Sequence, residues 1–187
     1  MSLVIEPFEL QGVFLCRPKK FADPRGYFME TYNQRVYAEA GIACVFVQDN
    51  QSLSVRRGTI RGLHFQIPPE PQSKLVRVLH GSIFDVAVDL RRGSATYGRY
   101  CAATLTADGG EQLFVPVGFA HGFLSLEPDT VVTYKTDGFY APACDAGILW
   151  NDPDLGIAWP LDPADVIVSD KDAKLPGFRT FASPFAC

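Results

Sequence analysis

With 187 residues, 47% of them apolar and 12% aromatic, the chain can bury one sizeable core and carries no compositional sign of disorder or of a fibrous repeat. A net charge of −4 without a long basic run excludes a general nucleic-acid-binding surface, so any anion site has to be local. Five widely spaced cysteines without a CxxC pair, no basic leader before an apolar run and no 18-residue apolar stretch together exclude a disulfide framework, a zinc finger and a membrane span, and lead us to expect a soluble, cytoplasmic protein.

In chain order, the first clear element is "QRVYAEAG" (34–41), the one segment that reads as a helix, ending on a glycine suited to a left-handed cap. "GTIRGLHFQ" (58–66) reads as a buried strand interrupted by Arg61, His64 and Gln66, and the proline-rich "QIPPEPQ" (66–72) as a loop between strands. "KLVRVLHGSIFDVAVDL" (74–90) alternates polar and apolar residues around His80-Gly81-Ser82, which predicts two antiparallel strands joined by a tight turn. "YCAATLTADGGEQLFVPVGFAHGFLSL" continues in the same manner, with Asp108-Gly109-Gly110 as a turn and Pro116 and Gly118 marking a bend, and "TVVTYKTDGFY" adds a further strand. Short strands at about ten-residue spacing with scarcely any helix predict an all-β sandwich or barrel, most simply a jelly roll. No repeat or linker divides the chain, so residues 1–187 are expected to form a single domain.

The polar residues that break the strand pattern carry the functional signal. Leu63 and Phe65 belong to one face, so the face bearing Arg61, His64 and Gln66 is half exposed, pocket-lining or bulged; Gln48, Asp49 and Asn50 precede it, and Lys74, Arg77 and Asp85 follow on neighbouring strands. A wet strand face explains any one of these alone. Isolated buried charges are costly, so a concave site for water or an anionic ligand is the simpler account of all of them. A metal would need three or four converging ligands, typically histidines two residues apart with a carboxylate. Phe65 and Gln66 follow His64 instead, and His121 stands alone in "GFAHGF", so neither a metal nor another cofactor is expected. No GxSxG elbow is present.

Seven blocks in order, "FADPRGYFMETYN", "FVQDNQSLSVRRGTIRGLHFQ", "SKLVRVLHGSIFDVAVDLRRGSATYG", "FVPVGFAHGFLSL", "TYKTDGFYAP", "GILWNDPDLGIAWP" and "SDKD", resemble the dTDP-4-dehydrorhamnose 3,5-epimerase family over about Phe21 to Asp172. The resemblance implies a cupin-type jelly roll, a homodimer with strands exchanged between subunits, no metal, and action on the nucleotide sugar dTDP-4-dehydro-6-deoxy-D-glucose. In such a substrate the C3 and C5 hydrogens flank the C4 ketone, so removal of either gives an enolate, and inversion requires the proton to return on the opposite face. His64 matches the family's base, a role suited to histidine, whose unperturbed side chain titrates near neutrality, and Asp172 in "SDKD" matches the carboxylate behind it. Tyr134 matches the acid on the other face, and Lys74 the cation beside the C4 oxygen. Arg25 and Arg61 match residues that bind the substrate, with arginine's planar fork suited to phosphate. Glu30, Gln48, Asp49, Asn50, His121 and Lys171 also match binding positions, and Tyr140 the aromatic that stacks on the base. The resemblance places the Arg25 segment across the dimer interface.

One departure stands out: the family's "YxPxxE" reads "YAPACD" here, putting Asp145 at a binding position with a carboxylate one methylene shorter. Three alternatives stay open at this point: a mono-epimerase acting at C3 or C5 alone, a catalytically silent cupin that binds sugar nucleotides, and a metal-dependent cupin oxygenase.

Overall fold

The computed structural model describes residues 3–187, so the first two residues of the expected 1–187 domain lie outside the described chain. The strands are β1 (Leu3–Pro7), β2 (Phe14–Pro18), β3 (Lys20–Asp23), β4 (Gly26–Met29), β5 (Gln48–Ser54), β6 (Ile60–Gln66), β7 (Lys74–His80), β8 (Ser82–Asp89), β9 (Tyr100–Thr106), β10 (Gln112–Val115), β11 (Phe119–Ser125), β12 (Thr130–Thr136) and β13 (Asp145–Gly147), with one short helix, α1 (Gln34–Glu39). They form a six-stranded sheet in the order β1-β2-β10-β7-β12-β5, a five-stranded sheet in the order β13-β6-β11-β8-β9, and a separate β3-β4 hairpin arm. All their pairings are antiparallel, giving the expected all-β jelly roll.

The predicted helix is present and well capped. The Asn33 side chain accepts from the Arg35 and Val36 amides at its start. At its end the Gly41 amide bonds to the Ala38 carbonyl and the Ile42 amide to that of Tyr37, with Gly41 at φ +97° and both Tyr37 and Ile42 buried.

The expected hairpin around His80-Gly81-Ser82 is not a hairpin. β7 pairs with β10 and β12, whereas β8 pairs with β9 and β11, so the chain crosses from one sheet to the other at Gly81. Gly81 has φ +76°, and a Cβ there would lie 2.5 Å from the Thr130 hydroxyl; the tight turn is real, but it serves as a corner. The turn at Asp108–Gly110 likewise carries the chain between sheets, from β9 to β10.

Three packing zones result. Leu15, Val76, Val78, Ile83, Ala87, Leu105, Phe119, Phe123 and Val132 fill one part of the space between the two sheets. The outer face of the five-stranded sheet is covered by the C-terminal segment, where Phe181 and Phe185 meet Phe65 edge-on at centroid distances of 5.1 and 6.0 Å. Helix α1 covers part of the outer face of the six-stranded sheet. The rest of the interior, between β6 and β11 on one wall and β5, β7 and β12 on the other, is open.

Candidate active site

A bulge in β6 brings the site's two main side chains to one face. His64 pairs with His121 and Arg61 with Phe123, so two residues of β6, Gly62 and Leu63, oppose the single Gly122 of β11. In an unbulged strand Arg61 and His64, three residues apart, would face opposite sides of the sheet. With the bulge both line the interior, while Leu63 and Phe65 pack outward under the C-terminal segment. Only glycine fits position 62: φ is +126°, and a Cβ would sit 2.7 Å from the Gly122 Cα.

Both residues line a cavity of about 530 Å³ together with Lys74, His121, Tyr134, Lys171 and Asp172. A second lobe of about 230 Å³ shares His64, Lys74, Tyr134 and Lys171 and adds Gln48, Asn50, Gln66, Tyr140 and Asp145. Eleven of the fourteen site residues expected from sequence thus meet here. The other three do not line it. Asp49 alternates to the outer face of β5 and pairs with Lys135 at 2.8 Å. Arg25 sits on the β3-β4 arm with its side chain 90% exposed and paired to Asp23 at 2.6 Å. Glu30 follows that arm and accepts a bond from the Asn33 side chain.

Two histidine–carboxylate pairs face each other across the β6–β11 ladder. His64 Nε2 lies 2.7 Å from Asp172 Oδ1, while Asp172 Oδ2 accepts from the Gly62 amide at 3.2 Å. Asp172 opens a short 3-10 turn (Asp172–Lys174) and is 4% exposed. Burial alone would raise its pKa, but the His64 hydrogen bond and charge, the Gly62 amide and Lys171 hold it below the ordinary carboxylate range. It is therefore an anion that fixes the Nε2–H tautomer and leaves Nδ1 of His64, which has no hydrogen-bond partner among the described residues, as the basic atom.

The second pair joins His121 Nε2 to Asp85 Oδ1 at 2.7 Å. Burial lowers the His121 pKa, against the opposing pull of Asp85. Asp85 is fully buried, and among the described residues its Oδ2 has no partner, nor does the Ser52 hydroxyl on the cavity's opposite wall. Sequence reasoning noted Asp85 as polar but gave it no role. The signal was its phase, since Ile83, Asp85 and Ala87 alternate onto one interior face and a lone carboxylate there needs a cation or a ligand.

Lys74 donates to the His64 carbonyl at 3.2 Å and stands 6.0 Å from the centroid of the Tyr134 ring. Burial pushes its pKa down to about 8, while Asp85 and Asp145 pull it back up. Tyr134 projects from β12 on the wall facing His64; burial raises its pKa, with Arg61 opposing, so the phenol is protonated at neutral pH. Arg61 spans the opening to β5, donating to the Leu53 carbonyl at 2.8 Å. At the mouth, Asp145 Oδ2 takes Lys171 Nζ at 2.5 Å and lies 3.5 Å from the Tyr140 hydroxyl. Gln66 has a structural role. Its amide binds the Glu70 and Phe139 carbonyls and the Ala141 amide, pinning the loop that carries Tyr140.

Among the described residues no three His, Cys, Asp or Glu side chains converge to hold a metal. The chemistry available is proton transfer: an anion-backed imidazole on one wall, a protonated phenol on the other, and a cation between them.

The sequence pattern described as dTDP-4-dehydrorhamnose 3,5-epimerase matches residues 7–180. A dTDP-4-dehydrorhamnose 3,5-epimerase from Methanothermobacter thermautotrophicus is 51% identical over 164 residues, which is 87% of this chain and 88% of that one. Among solved structures, the epimerase from Bacillus anthracis, with TDP and pyrophosphate bound, superposes with a TM-score of 0.91 at 46% identity, covering 94% and 99% of the two chains. The Legionella pneumophila enzyme, in complex with dTDP-4-keto-L-rhamnose, gives 0.92 at 38% identity over 97% and 95%. With this profile, these relatives and the fold in agreement, the chain belongs to the dTDP-4-dehydrorhamnose 3,5-epimerase family.

Proposed function

We propose that the protein inverts C3 and C5 of dTDP-4-dehydro-6-deoxy-D-glucose, giving dTDP-4-dehydro-L-rhamnose. What carries this reading is one juxtaposition: the His64–Asp172 pair and Tyr134 stand on opposing sheets of a single cavity, with Lys74 reaching between them. His64 Nδ1 takes the proton from the carbon next to the ketone, and the C–H electron pair becomes an enolate. Lys74 meets the negative charge developing on the C4 oxygen, and Asp172 stabilises the imidazolium. Tyr134 returns a proton to the other face. Once His64 has released its proton to solvent and Tyr134 has regained one, the same cycle serves the second carbon. Gln48, Asn50, Tyr140, Asp145 and Lys171 in the smaller lobe hold the nucleotide, with Arg61 on the phosphates and His121 beside the sugar.

Arg25, Glu30 and the exposed Tyr27 and Phe28 of the β3-β4 arm act on a second copy, so the working unit is a homodimer of single-domain chains. β5, which ends the six-stranded sheet, is free to pair with that copy. Five unpaired cysteines support a cytoplasmic location, and no helix among the described residues is long and apolar enough to cross a membrane.

The test is deuterium uptake at C3 and C5 in heavy water, with His64→Ala and Tyr134→Phe as controls. Uptake at both carbons, lost in His64→Ala, supports the reading; uptake at one carbon makes the protein a mono-epimerase, and none a binder. Mixing inactive Arg25→Ala and His64→Ala chains is expected to restore activity, because about a quarter of the sites in a randomly mixed dimer carry neither change. No recovery would refute the crossed arm.

A further inference from the structure

One stretch of the cavity wall has no part in the roles above. Phe123 faces Arg61 on the β6–β11 ladder, and being two residues beyond His121 it lies about 6–7 Å further along the strand than the two histidines. It is 4% exposed and belongs to the apolar cluster between the sheets, with its ring centroid 6.4 Å from that of His121. Ile167 reaches the same end from another segment. It bridges Thr59 in parallel, its amide bonding to the Gly58 carbonyl and its carbonyl to the Ile60 amide, both at 2.8 Å. Val166 and Val168 on either side pack into the cluster around Trp150, with Val168 also bordering the cavity, whereas half-buried Ile167 is outside that cluster and lines the cavity. The smaller lobe, by contrast, is lined almost wholly by polar groups.

We infer that Phe123 and Ile167 form the seat for the C6 methyl group of a 6-deoxy-4-ketohexose, selecting the deoxy sugar and steadying C5 during its inversion. The inference rests on the epimerase reading and adds to it a substrate-selecting surface. The phosphates, hydroxyls and ketone of such a substrate all call for polar partners, and the methyl is its one apolar substituent on the ring. When C5 gives its proton to the base it becomes trigonal; when a proton returns on the other face, the methyl swings across the ring plane. An apolar wall lets it move without a hydrogen bond to break. A 6-hydroxyl in its place would lose water and find no partner.

Two measurements test this. In competition binding, dTDP-6-deoxyglucose should be preferred to dTDP-glucose by the wild type, by up to about 100-fold, the usual limit for an apolar pocket rejecting an added hydroxyl. Ile167→Thr and Phe123→Leu should each shrink that preference several-fold, the exposed-side Ile167→Thr serving if the core change fails to fold. In heavy water the same variants should lose roughly ten-fold in C5 uptake relative to C3. Equal binding of the two nucleotides by the wild type, or a preference unchanged in a folded Ile167→Thr variant, overturns the seat, as does an equal fall at both carbons. Wild-type protein that exchanges neither carbon overturns the epimerase reading instead, and the binding preference then decides the seat by itself.

Discussion

Replacing Asp172 with Asn keeps the side chain's size but removes its charge and half of its accepting capacity. Asp172 now accepts two bonds at once, from His64 Nε2 at 2.7 Å and from the Gly62 amide at 3.2 Å. An amide cannot do both: its oxygen serves one partner and its NH₂ then confronts the other. If the oxygen keeps to Gly62, the NH₂ forces the wrong imidazole tautomer. If it keeps to His64, two donors meet beneath the bulge. In either case the imidazolium formed on proton abstraction loses an anion whose charge centre is about 4 Å away, worth roughly 4 kcal/mol at an effective dielectric of about 20. At about 1.4 kcal/mol per decade this predicts a fall in kcat of about 1,000-fold. The assay is steady-state turnover with the L-rhamno product trapped by a reductase. A kcat within ten-fold of wild type would refute the reasoning.

Three further outcomes follow from neighbouring features. Lys74 is cationic below about pH 8 and neutral above it, so turnover should fall as pH rises through that value; Lys74→Met should remove that alkaline limb and cost about 100- to 1,000-fold in kcat. Gly62→Ala forces a Cβ to within 2.7 Å of the Gly122 Cα at a φ of +126°, and should lower stability by about 2–4 kcal/mol in urea titration or abolish the His64–Asp172 pairing. Fully buried Asp89 accepts from Arg91, Ser94 and Thr96; burial raises its pKa, but these bonds outweigh that and hold it at about 2. Its folded pKa lies below the unfolded one, so its contribution of about 2 kcal/mol is complete above pH 4 and is lost as pH falls towards 2. Asp89→Asn should show that deficit in urea melts at pH 7 and lose it by pH 2.

The strands around the cavity were legible as short apolar runs, alternating with polar residues and bounded by turn signals, as in "KLVRVLHGSIFDVAVDL", although β8 proves to be buried on both faces. Their partners were not. The residues His80-Gly81-Ser82 look alike whether the chain doubles back beside itself or steps to the facing sheet, because a turn's local chemistry records its tightness and not what lies opposite. The clustering of Arg61, His64 and Gln66 implied a face that was half exposed, pocket-lining or bulged, and the structure has a bulge at Gly62-Leu63 beside the cavity. The pairing of His64 with Asp172, 108 residues away, came from motif resemblance and could not have come from spacing. Asp85 shows the opposite case: its phase was readable, but its partner His121 lies 36 residues on and only the β8–β11 register brings them together. Asp49 was grouped with Gln48 and Asn50 by adjacency, although alternation alone sends it to the other face.

The bulge in β6 has an evolutionary corollary. A strand's two sides are set by odd and even count, and the bulge absorbs one residue of that count, so Arg61 and His64 share the interior face although three positions separate them. Deleting Gly62 would leave every reactive side chain in the sequence and restore plain alternation with Arg61 and His64 still on one face, but it would remove the bulge and the amide that Asp172 Oδ2 accepts from, so the angle between the two side chains and the seat of the carboxylate would both change. Like a reading frame, the site depends on length as much as on letters. A single-residue insertion between Arg61 and His64 that no further bulge absorbs should therefore turn the imidazole away from the barrel and silence this scaffold as completely as substitution of His64 itself.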